Sequence, residues 1–379
     1  MIRPYTAQDD RRITYNGNKI FPSIDNVVGS DFPASEVEER VRQFKENTMW
    51  GHIARINHRI NVSANDFFDS IGALFTTLPL TTRMISSPGA VYGKEAISYT
   101  SDTSPVTLRW FDLPKRAFLA ESSQIYLELA LMQHGVDQVY SVYNSFRKEF
   151  ADETHLSEFH HIEYEGKVGQ DENERIALGL VGRIINDLLN HNEENLAFFL
   201  DESKLNELGD LGGNIADVSR ITYAEAMSLL YDDTKDEIYK KFTMDGTFGS
   251  WEEVRLTQII GGMVAVREYP LLEVPFYHAI KKGSDPPVAE NTDIIWPGYR
   301  ETIGSGHRVR SKEELERKAE IFDLPKEDYK PYLQTRELAD YFPSSGFGLG
   351  WERLLQGLLE MPFIWSAVQF PRGHNTLKP

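Results

Sequence analysis

Cysteine is missing from all 379 residues of the chain, which excludes disulfide bridges and thiolate metal sites. No apolar run is long enough to span a bilayer. The first residues, M-I-R-P-Y-T-A-Q-D-D-R-R, lack the hydrophobic region of a secretory signal. Positive charge is scarce: 40 Lys and Arg face 58 Asp and Glu, for a net charge of −18. Such a balance does not suit a protein that coats nucleic acid, although it leaves room for a local basic groove. There is no internal repeat and no low-complexity tract. These absences predict a soluble cytoplasmic protein without a membrane partner. At 41% hydrophobic and 12% aromatic, the chain can build a substantial core, as one large domain with additions or as two domains.

The most informative stretch is Asn144 to Glu165, N-S-F-R-K-E-F-A-D-E-T-H-L-S-E-F-H-H-I-E-Y-E. Polar and apolar residues alternate after a short acidic bridge, the period of a strand with one face toward a core. Phe159, His161, Glu163 and Glu165 share one face because residues two apart point the same way. Together with the preceding run V-Y-S-V-Y-N-S-F-R, the pattern predicts an antiparallel hairpin. It would present a cation, an aromatic plane and carboxylates to one cavity. A cation suits a phosphate, an aromatic a purine, and carboxylates an amine or a metal ion. Ordinary cross-strand ion pairs on a solvated hairpin are the competing reading. His160 and His161, as strand neighbours, face opposite ways and do not form a metal pair.

Around this hairpin the chain alternates between helical and strand patterns. Residues 1 to about 34 are polar and rich in turn formers, and read as an extension. Ile53, Ile56, Ile60, Phe67, Phe68 and Ile71 recur at near-helical spacing, and Gly72 closes that helix. F-T-T-L-P-L follows as a short strand with Pro79 at a sheet edge or interface. Residues 84 to 105 are loop-like and read as a mobile lid. From Gln170 to about Trp251 the segment is mostly amphipathic helix, expected as a helical insertion in a sheet domain. Strand patterns return in E-V-P-F-Y-H-A-I, T-D-I-I-W-P-G and R-E-T-I-G-S-G-H-R-V. Ser311 and Glu314 form a capping-box pair, and a glycine-rich strand, G-F-G-L-G, feeds a last helix with Arg353 in its first turn.

Three separated stretches together resemble a known family. Gly72 with Pro79 after a long helix resembles motif 1 of the class II aminoacyl-tRNA synthetases. F-R-K-E and H-L-S-E-F-H-H-I-E-Y-E, spanning Phe146 to Glu165, resemble motif 2. G-F-G-L-G-W-E-R-L-L, Gly346 to Leu355, resembles motif 3. Within that class the chain is similar to the aspartyl/asparaginyl branch. S-S-Q-I-Y-L-E at Ser122 resembles its amino-acid-binding segment, R-E-T-I-G-S-G-H-R its glutamate-to-arginine segment, and F-P-R at Phe370 its C-terminal signature. Aspartyl members typically carry a lysine where this chain has Leu127; asparaginyl members read more like this one.

The resemblance implies an α+β fold, with an antiparallel sheet flanked by helices and a helical insertion at about 170–251. Residues 1–50 would be an N-terminal extension and 51–379 the catalytic domain. It further implies ATP and Mg²⁺, an amino-acid substrate, and a homodimer. Arg147 would grip the α-phosphate and Phe159 would stack under adenine, with Glu149 near the base edge. His155 and Arg353 would hold the outer phosphates, and Gly348 and Gly350 would let backbone approach the nucleotide. Asp293 and Glu301 would bind magnesium. Ser122, Gln124 and Glu163 would hold the α-ammonium end of the amino acid, and Arg308 its side chain.

Two departures bear on the acceptor. No series of five strands precedes the catalytic resemblance, so the anticodon-reading barrel usual in this branch is not expected. The motif 2 connection F-A-D-E-T is acidic, with Asp152 and Glu153 near Glu149, and has Thr154 where the family often has an arginine. Carboxylates there would oppose tRNA phosphates. Both departures point to a ligase that activates aspartate, asparagine or a close analogue as an acyl-adenylate and transfers it to ammonia, an amine or a carrier, as the asparagine-synthetase-related paralogues of the branch do. The alternatives are an asparaginyl-type tRNA ligase lacking an anticodon domain, and a non-catalytic regulatory paralogue.

Overall fold

Apolar residues at helical spacing build the layer on which the sheet rests. The structure is a computed structural model that describes residues 4–22, 33–86, 105–148, 151–240 and 248–378. The N-terminal segment is not a free arm: β1 (Tyr5–Ala7), β2 (Arg12–Tyr15) and β3 (Asn18–Pro22) form a three-stranded sheet. Tyr5, Ala7 and Ile13 of that sheet are buried in the main core. Short helices α1 (Ala34–Glu38) and α2 (Arg40–Glu46) lead into α3 (Met49–Ser70). Ile53, Ile56, Ile60 and Phe68 of α3 are fully buried on one face, each contributing roughly 1.5–3 kcal/mol by leaving water.

Strand β4 (Leu74–Phe75) follows, then β5 (Thr81–Thr82), β6 (Thr107–Leu108) and β7 (Ala117–Leu119), which make a second small sheet. The predicted lid falls largely on residues outside those described. Helix α4 (Gln124–Ala130) precedes the predicted hairpin, which is present as β8 (Gln138–Phe146) and β9 (Glu158–Gly166), antiparallel throughout.

The segment expected as an insertion is woven into the domain. It contains α5 (Gln170–Leu196), α6 (Glu202–Gly213), β10 (Ser219–Thr222), α7 (Tyr223–Thr234) and α8 (Ser250–Ile260). Helix α5 buries Ile176, Leu180, Val181, Ile184 and Leu188 in the same core as α3. Strand β10 pairs in parallel with β11 (Val264–Arg267) at the sheet edge. Residues 273–280, expected as a strand, form a loop whose only β-pairing is through isolated bridges at His278 and Ile280. Strands β12 (Asn291–Ile295) and β13 (Glu301–His307) follow, then α9 (Lys312–Ile321) and α10 (Lys326–Gln334). The chain closes with β14 (Ser345–Gly350) running directly into α11 (Trp351–Leu358).

The main sheet has eight strands in the order β10-β11-β12-β13-β14-β9-β8-β4, antiparallel except at its two ends. Its even-numbered β9 residues face the helices: Tyr164 stacks on Phe68 and Phe347, with ring centroids 5.9 and 5.3 Å apart. The opposite face is left for a cleft. Above one end of it, α4, α9 and α10 pack with the 273–280 loop into a second core around Ile125, Phe276, Tyr277, Tyr329 and Tyr332. Among the described residues no helix is long and apolar enough to cross a membrane.

Candidate active site

The cleft exists because glycines and charged residues were placed in register. Strand β14 pairs with β9 so that Gly346 lies opposite Glu165, Gly348 opposite Glu163 and Gly350 opposite His161. Strand β13 then sets Gly304 beside Gly348 and Gly306 beside Gly346. The floor is therefore bare backbone, and long polar side chains lie across it. At Gly346 the requirement is strict: a Cβ would collide with the Glu165 carboxylate and the Gln124 amide, and would lie 2.5 Å from the Tyr164 carbonyl oxygen. Two adjoining cavities result, of about 260 and 100 Å³, sharing Arg147, His161, Glu301 and Gly348.

The smaller cavity is cationic and aromatic. Arg147 leaves the end of β8 with its guanidinium 5.2 Å from the centre of the Phe159 ring, and its Nε is buried without a hydrogen-bond partner. Arg353, in the first turn of α11, donates to the backbone carbonyls of Glu301 and Thr154. His155 holds Asp152 through Nδ1 at 2.8 Å, which turns Nε2 toward Arg300 at 3.2 Å. Burial opposes the charge on Asp152, but His155 and the Thr154 amide outweigh it and hold the carboxyl below its ordinary range. Among the described residues neither Arg147 nor Arg353 has a carboxylate partner, so two half-buried guanidinium groups stand ready for an anion. Glu149 lies outside the described residues.

The carboxylates expected to hold magnesium converge on Gly304. A Cβ there would sit 2.7 Å from Glu301 Oε1 and 3.8 Å from Asp293 Oδ1, so both oxygens overhang one glycine cradle. Burial, and next their mutual repulsion, push Asp293 well up; burial raises Glu301 against the pull of Arg353. Paired carboxylates under that strain fit a divalent cation. Among the described residues no group of three or more metal-ligating side chains gathers. Magnesium suits such a site, since it commonly takes one or two carboxylates and completes its shell with phosphate oxygens and water.

The larger cavity ends in two anchors. Ser122 Oγ donates to Glu163 Oε1 at 2.7 Å, while Glu163 Oε2 is buried with no partner. Burial pushes Glu163 up to about 7, against the neighbouring Tyr143 and Ser122 hydroxyls. Further in, Arg308 forks onto Glu165, Nε to Oε1 at 3.0 Å and Nη2 to Oε2 at 2.7 Å. Gln124 donates to Glu165 Oε2 at 2.6 Å. Behind them, Glu128 Oε1 stands 3.8 Å from Arg308, and Glu128 accepts from Arg336 at 2.8 Å and Tyr332 at 2.6 Å.

Every described residue expected from the sequence lines one of the two cavities: Ser122, Gln124, Glu163, Asp293 and Arg308 the larger, His155, Phe159, Gly350 and Arg353 the smaller, and Arg147, Glu301 and Gly348 both. Sequence reasoning left Glu165 as a carboxylate with a neighbouring arginine; the arginine is Arg308, far along the chain. It assigned no role to Glu128, Arg300 and Tyr143, although each lies within a stretch singled out above, nor to Arg336 and Glu253, which carry no local pattern. Leu127 is fully buried in a small cluster with Leu131 and Val139, away from the cavity.

The acidic loop is corrected by the structure. Asp152, Glu153 and Thr154 are all buried, and Asp152 is bound to His155. Burial, and then Asp152, push Glu153 up to about 7. Its backbone carbonyl ties the loop to Ile364 and Gln356. Carboxylates turned inward, Asp152 onto His155, do not present a repulsive rim to phosphates.

Comparison with known proteins extends the geometry. The model of the tRNA synthetases class II (D, K and N) matches residues 34–374. The asparagine–tRNA ligase of Koribacter versatilis is 30% identical over 331 residues, covering 86% of this chain and 70% of that protein. That of Pelotomaculum thermopropionicum is 27% identical over 350 residues, covering 91% and 73%. Among solved structures, asparaginyl-tRNA synthetase from Pyrococcus horikoshii complexed with asparaginyl-adenylate superposes with a TM-score of 0.78 at 24% identity, over 97% of this chain and 79% of that one. A putative aspartyl-tRNA synthetase from Leishmania major gives 0.73 at 18% identity, over 97% and 75%. These structural likenesses establish the fold.

Proposed function

Since the chain belongs to the class II tRNA synthetases of the aspartyl, lysyl and asparaginyl group, we propose that it activates asparagine with ATP as asparaginyl-adenylate and transfers the asparaginyl group to a tRNA. The observation that carries the choice of amino acid is the buried Glu165–Arg308 fork. Arg308 already has a carboxylate, and Glu128 behind it is matched by Arg336, so the two cations and two anions cancel. No charge is left over to neutralise a second substrate carboxylate, whereas an amide can accept from Arg308 through oxygen and donate to Glu165 through nitrogen. A site built to pair both groups strongly rejects a ligand that leaves one unpaired.

The remaining residues divide the chemistry. Glu163, with its free Oε2, anchors the α-ammonium. The α-carboxylate oxygen attacks the α-phosphorus of ATP and pyrophosphate leaves. Arg147 stabilises the charge that develops at the α-phosphate, and Arg353 and His155 hold the outer phosphates. Phe159 offers its ring to adenine. Asp293 and Glu301 would hold magnesium, which when bound neutralises phosphate charge. Catalysis is then positioning plus electrostatic stabilisation. In the second step a terminal ribose hydroxyl attacks the acyl carbonyl and AMP leaves.

Transfer to ammonia or an amine was the leading expectation from the sequence. The tRNA acceptor is adopted instead because the curated relatives matched over most of the chain are named as asparagine–tRNA ligases, and because the inward-facing acids remove the local argument against tRNA. The same reading includes a homodimer across the edge strand β4. Asparagine-dependent ATP–pyrophosphate exchange tests the first step. Exchange should prefer asparagine over aspartate by about 100-fold or more, and Arg147→Ala should cut it by at least about 100-fold. Charging of total tRNA should follow. Discharge of the adenylate by ammonia but not by tRNA would sink the acceptor half of the proposal alone.

A further inference from the structure

The phosphate-facing cluster holds one more arginine than this reaction employs. Arg300 ends the turn between β12 and β13, where its carbonyl accepts from the Trp296 amide at 3.1 Å. Its side chain is only 14% exposed and lines the larger cavity with Asp293 and Glu301. Its Nη1 lies 3.2 Å from His155 Nε2, and His155 lines the smaller cavity beside Arg147 and Arg353. Arg300 thus stands where the two cavities meet.

Its carboxylate partner is Glu253 of α8, and the pairing is slack. Nε to Oε2 is 3.1 Å and Nη2 to Oε1 is 3.4 Å, against about 2.7–2.9 Å for a well-formed charge-assisted bond. Glu253 Oε2 is also shared with the backbone N–H of Glu301 at 2.9 Å. Three partly buried guanidinium groups and an imidazole gathered at this junction suit an anion with several negatively charged oxygens, arranged across both cavities.

We propose that Arg300 binds the outer phosphates of ATP and the pyrophosphate product, held by Glu253 while the cleft is free of nucleotide and passed to phosphate oxygens when nucleotide enters. Glu253 is then a placeholder for phosphate. The proposal rests on the ATP reading above and adds to it a phosphate ligand to which the sequence reading gave no role. The competing role for the pair is a clamp that merely fixes the β12–β13 turn.

Equilibrium binding of AMP, ATP and inorganic pyrophosphate to the full chain separates the two. AMP lacks the outer phosphates, so a phosphate role and a clamp role diverge on it. Arg300→Ala should weaken ATP and pyrophosphate by about 10- to 100-fold, the worth of a charge-assisted hydrogen bond, with AMP within about twofold of the wild type. Arg300→Lys, which keeps the charge but loses the fork, should fall between. Glu253→Gln should leave ATP and pyrophosphate bound as tightly or more tightly, since no carboxylate then competes. Unchanged ATP and pyrophosphate binding in Arg300→Ala overturns the proposal, and so does a parallel loss of AMP. A Glu253→Gln variant weakened like Arg300→Ala overturns the placeholder role. Should Arg300→Ala fail to fold, Arg300→Lys and Glu253→Gln decide by the same comparison. A wild-type chain that binds none of the three ligands overturns the ATP reading itself, and the proposal with it.

Discussion

Glu163 shows how burial and function oppose each other at a single residue. Its carboxyl must be ionised to hold an ammonium, yet burial pushes it up to about 7. Below that pH the free protein carries a neutral acid there, and the proposed anchor for the substrate amine would be lost. The Michaelis constant for asparagine in pyrophosphate exchange should therefore rise about tenfold per pH unit below 7 and level off above it. Glu163→Gln should raise it at every pH and flatten the profile. The stability sign is the reverse: a raised folded pKa favours folding below the unfolded value near 4.5, and that contribution declines as pH climbs toward 7. His161 cannot produce this profile. Burial, then Arg147 and Arg353, lower it to about 3, so it is neutral throughout the range. At this scale the motif residues were legible in the sequence, because each sits in a dense local pattern. The roles of Glu128, Arg300 and Arg336 were not, even where the residue stood inside a quoted stretch, because a charge has meaning only beside its partner.

Among the elements, the pairing of β9 with β14 does most to shape the site. Charged residues two apart on β9 and glycines two apart on β14 are each visible in the sequence. Their mutual register is not, and a slip of one residue would turn every carboxylate toward the helices. Gly346→Ala tests the register directly. Its new Cβ would meet a backbone carbonyl and a buried carboxylate that cannot withdraw, so overpacking should cost about 1–3 kcal/mol in chemical denaturation, with asparagine binding lost in titration. Gly209→Ala is the contrast: its Cβ would meet only Leu189 at 3.7 Å within helix α6, and stability should hold or rise by up to about 1 kcal/mol. The 273–280 segment shows the opposite failure of pattern reading. Its apolar residues alternate like a strand, but Phe276 and Tyr277 are drawn into the second core by α9 and α10, and the backbone follows them.

For the molecule as a whole, the edge strand β4 exposes Leu74 and Phe75 at 53% and 55%. An apolar sheet edge open to water is unusual in a protein that works alone, since it invites pairing with another chain. Leu74→Asp combined with Phe75→Asp should convert a dimer to monomers in light scattering and lower exchange activity with it. A monomeric wild type would remove the homodimer from the proposed function. The segment from Gln170 to Trp251 shows why domain limits were hard to read. Its helices have one apolar face, as any insertion would, but α5 spends that face on the same core as α3, and β10 extends the sheet. Sequence patterning reveals that a face is apolar; it does not name the surface that covers it.

The sequence by itself determined the α+β class, the family, the β8–β9 hairpin and most of the side chains that line the two cavities. Those depend on short-range spacing, which a chain carries whether folded or not. The tertiary structure alone decided the pocket charge, the inward turn of Asp152 and Glu153, and the meeting of Arg300 with His155 and Glu253. Each of these is a sum over groups far apart in the chain. Such groups act on one another strongly only once the fold has brought them within a few ångströms and removed the water between them.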